Sequence, residues 1–304
     1  MTVRGSWPRL LAWVLAALCL LLGGCASTAA PQAAPEPAAT PLPTLEPRPE
    51  HGEGETAKVY VDGLLVGRAL VRDGEVYLSP ALLCGELNLT LETRVDDAGF
   101  CLEIGPLTVT GETGQEYLCA GERYLFVPEG WIVREGQVLL PAQALARLFQ
   151  TQVQVTGQPL RVELSTRGAR LMDGDYSFYL QRYTDEEIFW LAHIISAEAG
   201  NQPLAGQIGV GNVVLNRVAD ERYPDSIMEV IFQRGERTQF DPVEDGAINR
   251  ESKEISLIAA YLCLEGYNTV GPSEFFVNPD IGNATWFEAS RTFIIRIGDH
   301  DFYA

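Results

Sequence analysis

Hydrophobic residues recur at helical spacing in the segment that follows Thr184. The apolar stripe consists of Ile188, Leu191, Ile194 and Ile195. The next position on this stripe is Glu198. Thr184 and Glu187 have the spacing of a capping box, and Gly200 is typical of a helix C-cap. The pattern predicts a helix from 184 to about 200 that carries a carboxylate on its buried face.

Glu198 is therefore expected to have a raised pKa. Desolvation disfavours the charged form of a carboxyl group, and so does the negative end of the dipole in the last turn of a helix. A carboxylic acid that keeps its proton near neutral pH is the state that a general acid needs. The structural alternative is a buried carboxylate that bonds a loop or pairs with Arg217.

The pattern after this helix predicts further helices and then strands. Predicted helices follow Pro203 to about Val218, Pro224 to Phe232, and Glu251 to Glu265, and predicted strands cover Glu274–Val277 and Thr292–Ile297. Glycines in the second helix permit close backbone approach. We predict an α+β domain over 184–304, mainly helical at first, with a small C-terminal sheet.

Short alternating segments predict strands over 57–166, and residues 167–183 form a connector. Asp62-Gly63 is typical of a hairpin turn. Two similar segments, 74–83 and 136–145, each predict a strand that runs into a helix begun by proline, which indicates a duplicated β-β-α unit. This region resembles the small module named after the copper amine oxidase N-terminal domain. It has no histidine or methionine cluster for copper.

The N-terminus has the pattern of an export signal. Residues 10–22 form an uninterrupted apolar run behind Arg4 and Arg9. Leu22-Gly-Gly-Cys25 resembles a bacterial lipobox, so 1–24 is predicted as a lipoprotein signal peptide and Cys25 as the lipidated residue. The alternative is a plain signal peptide. Residues 25–56 hold seven prolines and few large apolar groups, which predicts an extended tether from the lipid anchor.

Charge and cysteine content limit the partners. The formal charge of the 304 residues is −19, which argues against nucleic acid as the main partner because phosphate binding needs a basic face. Cys84, Cys101 and Cys119 share one region of an exported chain. The sequence is compatible with one disulfide among these three or with three free thiols.

Other catalytic chemistries have weak support. The three histidines form no metal-binding motif, and His193 is expected to pack or to cap a neighbour, so no metal and no cofactor are predicted. Cys263 lies on the apolar face near the end of a predicted helix, where burial and the dipole oppose thiolate formation. No Gly-x-Ser-x-Gly elbow is present.

Six groups of residues follow one another in the order of a known family. They are Glu187-Ile-Phe-Trp-Leu-Ala-His-Ile-Ile-Ser-Ala-Glu-Ala-Gly-Asn-Gln-Pro-Leu-Ala-Gly-Gln-Ile-Gly-Val-Gly-Asn-Val-Val-Leu-Asn-Arg217, Tyr223-Pro224, Val230-Ile231-Phe232, Gln239-Phe240-Asp241-Pro242-Val243, Phe276-Val277-Asn278-Pro279 and Ile297-Gly298-Asp299-His300-Asp301-Phe302. Residues 184–304 therefore resemble the SleB/CwlJ cell-wall hydrolase family, also known as spore-cortex-lytic enzymes. The resemblance implies a lysozyme-like fold, a peptidoglycan substrate and Glu198 as the catalytic acid. Gln202 departs from the family, which often has a second glutamate there.

The resemblance and the residues together predict an exported, lipid-anchored lytic transglycosylase that cleaves the bond between N-acetylmuramic acid and N-acetylglucosamine. Glu198 is predicted to act first as acid and then as base. One alternative is a muramidase in which Asp241 is the second carboxylate, and another is a non-catalytic wall-binding or assembly lipoprotein. Vegetative and spore-cortex roles both remain open. The predicted substrate-binding residues are Gln239, Phe240, Asn278, Trp286 and His300, of which the last two are weighed against packing in the small sheet.

Overall fold

The computed structural model describes residues 56–157, 159–234, 240–280 and 289–304. These residues belong to one compact unit, His51–Ala304. The predicted signal peptide, Cys25 and the tether lie outside the described residues, as do Gln239 and Trp286. Along the described part of the chain, no helix is both long enough and apolar enough to cross a membrane.

The first part of this unit is rich in β-strands. Its elements are β1 (Thr56–Val61), β2 (Leu64–Arg72), β3 (Glu75–Leu78), α1 (Ala81–Glu86), β4 (Leu91–Val95), β5 (Gly99–Ile104), β6 (Leu107–Glu112), β7 (Tyr117–Ala120), β8 (Arg123–Phe126), β9 (Ile132–Arg134), β10 (Gln137–Pro141), α2 (Ala142–Leu148), β11 (Val153–Thr156) and β12 (Arg161–Leu164). One sheet has the order β11-β12-β1-β2-β3-β10-β9, and the other is a meander from β4 to β8. Alternate strand residues are buried, as in β1 and β6.

The predicted hairpin is confirmed. Val61 pairs with Leu64 across a two-residue turn, and the φ angles of Asp62 and Gly63 are +48° and +82°. Positive φ at both turn positions fits the twist of antiparallel strands, and it explains the Asp-Gly sequence.

The duplicated β-β-α unit is also present. Hairpin β2–β3 runs into α1, and hairpin β9–β10 runs into α2. Pro80 and Pro141 are the N-cap residues of the two helices. The two units meet in one sheet, where β3 and β10 pair and Leu78 lies opposite Leu140.

The second part combines helices with a small sheet. Its elements are α3 (Asp185–Ala199), α4 (Leu204–Val218), α5 (Ile227–Ile231), α6 (Asp241–Glu244), α7 (Glu254–Leu264), β13 (Phe275–Val277), β14 (Phe293–Ile297) and β15 (His300–Tyr303), with 3₁₀ turns at Leu180–Arg182 and Ala247–Asn249. The sheet order is β13-β15-β14, and both pairs are antiparallel. The described residues therefore form a mixed α+β structure. Helices predicted from Pro224 and from Glu251 are shorter than expected.

Two predicted features hold the helices in place. The capping box at the start of α3 is confirmed, because Glu187 N–H donates to Thr184 Oγ1 and Glu187 accepts from Thr184 N–H. Gly211 of α4 lies against its neighbours, since a Cβ there would be 2.6 Å from Cys263 Sγ and 2.9 Å from Ile195 Cδ1. The glycine thus lets α4 pack closely against both α3 and α7.

Buried side chains of the described residues form two hydrophobic clusters. One extends from Ala57 to Met172, and the other from Leu191 to Phe302. Tyr117, Tyr124 and Phe126, from β7 and β8, pack against the second cluster. Strands of the first part therefore contact the helical part directly.

The described cysteines are free thiols. Cys101 and Cys119 both pair with Thr110, one on each side, so two strand spacings of about 4.8 Å separate their backbones. A disulfide needs Cα atoms closer than about 7 Å, so these two residues are too far apart. Cys84 is buried in α1. Of the two possibilities left open by the sequence, the structure has free thiols.

Candidate active site

Glu198 occupies the next-to-last position of α3 and is partly buried. Lys253, the residue before α7, binds the end of this helix in two ways. Its Nζ donates to the Gly200 carbonyl at 2.6 Å, and its N–H donates to Ser196 Oγ at 3.1 Å. A cation at the C-terminus of a helix offsets the partial negative charge there. The turn that carries Glu198 is thus fixed by a contact between two helices.

The environment of Glu198 raises the pKa of its carboxyl group to about 7. Burial is the main cause, and the nearby carboxylates of Asp241 and Asp245 add to it. Arg217 acts in the opposite direction, because a cation favours the ionised form. A pKa near 7 leaves both the acid and the carboxylate populated at neutral pH, as acid–base catalysis requires. The expectation of a raised pKa thus agrees with the structure, although like charges contribute beside burial.

Arg217 lies in the last turn of α4 and is buried. Its Nε donates to the Glu274 carbonyl at 2.8 Å, just before β13. Its guanidinium carbon lies 5.2 Å from the ring centroid of Phe240 and 5.3 Å from that of Phe275. Burial lowers the pKa of Arg217, and the negative charge of Glu198 is among the influences that oppose this shift. The aromatic rings hold a cation close enough to influence Glu198.

His193 holds the segment that carries the two aspartates. Its Nδ1 lies 2.8 Å from the carbonyl oxygen of Ile248, in the 3₁₀ turn that follows α6. Asp241 begins α6, and Asp245 follows its last residue. His193 therefore ties this segment to α3, the helix of Glu198. The expectation that His193 packs or bonds a neighbour is confirmed.

Gln202 is a structural residue beside the site. It is 8% exposed. Its Nε2 donates to Asp299 Oδ2 at 3.1 Å, and its Oε1 accepts from Asp299 N–H at 2.9 Å. Asp299 lies in the turn between β14 and β15, after Gly298, whose φ is +58°. The amide thus joins the α3–α4 connection to the small sheet.

The other predicted substrate-binding residues have different environments. Phe240 is only 2% exposed and packs near Arg217 and Phe276, so the prediction that it lines a glycan groove is wrong for its ring. The aromatic–proline pattern there is the anchor of a turn. Asn278 is partly buried, and its Oδ1 accepts from Asp280 N–H at 3.0 Å.

His300 is buried in the small sheet, with its ring centroid 5.2 Å from that of Phe276. Burial lowers its pKa, which favours the neutral ring. Its position fits packing better than contact with substrate. Gln239 and Trp286 lie outside the described residues.

The sequence pattern did not predict that Asp245 and Arg217 influence the pKa of Glu198. Asp245 was missed, although its spacing of four residues from Asp241 places both carboxylates on one side of a helical turn. Arg217 was considered only as a structural partner. Its last-turn position on an otherwise uncharged helix is the signal that marks it.

Thiol and metal chemistry find no support in the described residues. Cys263 is buried, and burial raises the pKa of its thiol far above the usual range. Its Sγ donates to the Ile208 carbonyl at 3.2 Å. No group of three or more metal-ligating side chains occurs among the residues that the structure describes.

Comparison with known proteins bears on this region. The family described as Cell Wall Hydrolase matches residues 201–303. The C-terminal region is a cell wall hydrolase domain. Glu198 lies three residues before the first residue of the family match.

Curated relatives of the cell wall hydrolase domain are named spore cortex-lytic enzyme. The protein from Halalkalibacterium halodurans is 35% identical over 120 residues, which are 40% of this chain and 35% of that protein. The proteins from Bacillus cereus and Bacillus subtilis (strain 168) are each 31% identical over 120 residues, 40% of this chain and 45% and 38% of those proteins. The chain thus spans less than half the length of these relatives.

Two solved structures are similar to the cell wall hydrolase domain. The catalytic domain of the germination-specific lytic transglycosylase SleB from Bacillus anthracis is 30% identical, with 40% of this chain and 97% of that chain covered and a TM-score of 0.37. The catalytic domain of the Bacillus cereus SleB protein is also 30% identical, with 92% of that chain covered and the same TM-score.

Proposed function

We propose that this protein cleaves peptidoglycan as a lytic transglycosylase, with Glu198 as the only enzymic acid and base. The observation that carries the proposal is the raised pKa of Glu198, which is about 7. Glu198 belongs to the part of the chain that is similar to spore cortex-lytic enzymes. Most glycosidases need two carboxyl groups for hydrolysis. A transglycosylase needs one, because the attacking hydroxyl belongs to the substrate.

The reaction has two proton transfers at one carboxyl group. Protonated Glu198 donates to the glycosidic oxygen as the bond from that oxygen to the muramyl anomeric carbon breaks. The 6-hydroxyl of the same muramyl residue attacks the anomeric carbon and gives its proton to the Glu198 carboxylate. A 1,6-anhydro product forms, no water is consumed, and Glu198 returns to its acid form.

The charges around Glu198 suit both steps. Burial, Asp241 and Asp245 favour the acid before bond cleavage. Arg217 favours the carboxylate that exists between the two transfers. Position 202 supplies no second carboxylate, because its side chain is an amide. That amide binds Asp299.

A muramidase is the second candidate. Asp241 and Asp245 lie close enough to Glu198 to raise its pKa, and either carboxylate is a candidate base for a water molecule. A non-catalytic wall-binding role is the third candidate. The titration of Glu198 near neutrality favours catalysis over that role.

The remaining predictions belong to the same proposal. The domain over 184–304 is proposed to be lysozyme-like, the region 57–166 to be the copper-amine-oxidase-N-like module, and Asn278 to contact the glycan. Cys25 is proposed to anchor the protein by lipid to the outer face of the cytoplasmic membrane, facing the wall. These proposals rest on the sequence patterns described above.

Digestion of purified sacculi tests the proposal. The muropeptides are separated and weighed by mass spectrometry. A transglycosylase yields muramyl ends that are lighter by one water molecule than the reducing ends left by a muramidase. Reducing ends alone would contradict the transglycosylase and support the muramidase.

Glu198→Gln removes the titrating proton with little change in shape, and we expect no cleavage. Glu186→Gln is the matched control, because Glu186 is exposed in the first turn of the same helix. Full activity of Glu198→Gln would remove Glu198 from the mechanism.

A further inference from the structure

A cavity of about 970 Å³ lies where the β-rich part meets the helical part. Its walls come from β8 and α2, from the segment 170–179, and from residues 265–267 that follow α7. Glu198 does not line it. A volume of this size accommodates a ligand as large as a short peptide or a disaccharide.

The cavity has cations that carry no ion pair among the described residues. Arg170 Nε donates to Gln150 Oε1 at 2.6 Å. Arg147 Nη1 donates to the Glu265 carbonyl at 3.1 Å, and its guanidinium carbon lies 3.8 Å from the ring centroid of Tyr267. Neither arginine pairs with a carboxylate in the described part of the chain, so each keeps donors for an anionic ligand.

The acids of the cavity are already engaged. Glu265 accepts two bonds from Arg123, at 2.8 Å and 2.7 Å. Asp173 accepts from Asp175 N–H at 3.0 Å. Three arginines and two acids line the space, so its charge is positive in a protein whose formal charge is −19. The excess of positive charge in this lining favours an anionic ligand.

Aromatic side chains line another part of the cavity. Tyr176, Phe178 and Tyr179 are 45%, 65% and 50% exposed. The rings of Phe178 and Tyr179 are 6.0 Å apart and nearly perpendicular. Exposed neighbouring aromatic rings mark a surface that binds apolar groups or the flat faces of sugars, and tyrosine adds a hydroxyl that bonds polar groups.

The cavity and Glu198 lie at opposite ends of α7. Ser196, near the end of α3, bonds Lys253 at the start of α7. Glu265, which lines the cavity, follows the end of α7. The 11 residues of α7 span about 16 Å, so one ligand group does not fill both places.

We propose that this cavity is an accessory site for the carboxylate-bearing peptide stem of a muropeptide. Arg147 and Arg170 bind the stem carboxylates, and Tyr176, Phe178 and Tyr179 contact its apolar side chains or the adjoining sugar. The choice of ligand rests on the proposed function. Such a site holds the wall polymer at a second point while Glu198 acts on a glycosidic bond.

Calorimetric titration of the full chain tests the site. The Glu198→Gln variant is used so that no turnover occurs, and the probe is a soluble disaccharide with a free tripeptide stem. We expect binding to this probe, and weaker binding by about tenfold when the stem carboxylates are amidated. The proposal would be overturned if the amidated probe bound as tightly as the probe with the free stem. It would also be overturned if a glycerol-phosphate polymer bound more tightly than the probe with the free stem.

Variants of the exposed lining residues locate the binding. We expect Arg170→Gln and Phe178→Ala, each in the Glu198→Gln background, to weaken binding by about tenfold. Arg134→Gln and Leu64→Ala are matched controls, because both side chains are exposed and lie outside the lining. Unchanged binding in both lining variants would overturn the site. Thermal unfolding of each variant checks that it is folded.

Sacculus digestion by the unaltered protein separates the two proposals. Anhydro products without stem binding would reject the accessory site and leave the transglycosylase intact. Stem binding that depends on Arg170, without any cleavage of sacculi, would reject the proposed activity and retain the site.

Discussion

Arg123 of β8 forms a two-pronged ion pair with Glu265, the residue after α7. The Nε–Oε1 and Nη2–Oε2 distances are 2.8 Å and 2.7 Å, and the side chains are 13% and 4% exposed. The same guanidinium donates through Nη1 to the carbonyls of Asp173 and Tyr176. One buried pair thus joins the β-rich part, the connector and the helical part.

We predict that Arg123→Leu lowers the free energy of unfolding by about 3 kcal/mol, because Glu265 is left as a buried, unpaired charge. The double variant Arg123→Leu/Glu265→Leu should recover part of this loss, since no lone charge remains. Urea unfolding measures both. Arg94→Leu is the control, because the Arg94–Glu103 pair is exposed. The urea concentration at the midpoint of unfolding should barely change in this variant. A double variant no better than Arg123→Leu would argue against charge burial as the cause.

Gln202→Glu tests the amide contact with Asp299. The replacement puts a carboxylate opposite the Asp299 carboxylate and removes the donor that bonds Oδ2 at 3.1 Å. We expect the free energy of unfolding to fall by about 1–3 kcal/mol at neutral pH, and the loss to shrink toward pH ~4 as carboxyl groups take up protons. Thermal unfolding across pH measures this.

The reciprocal double variant is the control for Gln202→Glu. In Gln202→Glu/Asp299→Asn, position 299 supplies an amide donor, so one carboxylate again faces one amide. We expect stability to return toward that of the unaltered protein. A double variant as unstable as Gln202→Glu would show that repulsion between the two carboxylates is not the cause.

Local patterns predicted the elements of the fold well. The capping box of α3, the Asp62-Gly63 turn and the two strand-to-helix segments depend on neighbours in sequence, and each is present. The packing of β8 against α7 was not predictable. It depends on pairs such as Arg123 and Glu265, which are 142 residues apart and have no shared local pattern.

The same distinction holds for the site. Glu198 was found from its place on an apolar stripe, which is a property of one helix. The burial of Phe240 was missed, because a Pro-bounded aromatic turn has the same sequence whether its ring faces solvent or the core. The effects of Asp245 and Arg217 on Glu198 need the arrangement of three separate elements.

Glu198 should make the stability of the protein depend on pH. Its pKa is about 7 in the folded state, against 4.5 for the free side chain. The folded state therefore holds more protons between these values, and the free energy of unfolding falls as the pH rises through this range. Below about 4.5 the contribution is fully present. Above about 7 it is lost, and the total change is on the order of 3 kcal/mol.

Glu198→Gln should therefore be more stable than the unaltered protein at pH ~8, and equally stable at pH ~4. Thermal unfolding of both proteins across this range is the measurement. Glu186→Gln, on the exposed first turn of α3, should show no such pH-dependent difference from the unaltered protein. If Glu198→Gln and the unaltered protein differ by the same amount at every pH, the pKa of Glu198 is not raised.

The aspartates beside Glu198 should control the pH profile of cleavage. The alkaline limb reports the loss of the catalytic proton, so it follows the pKa of Glu198. Burial is the larger cause of the raised pKa, and Asp241 and Asp245 add to it. Asp241→Asn and Asp245→Asn should each move the alkaline limb to lower pH, by less than about one pH unit, because an exposed charge acts through water.

Release of soluble muropeptides across pH measures the limb, and Asp97→Asn, in the turn between β4 and β5, is the control for an exposed charge elsewhere. The two aspartates also separate the two mechanisms. In a transglycosylase both variants keep activity, because Glu198 performs both proton transfers. Only the alkaline limb of their pH profile moves. In a muramidase that uses Asp241, Asp241→Asn loses activity at every pH while Asp245→Asn keeps it, since an amide is unable to activate water as a base.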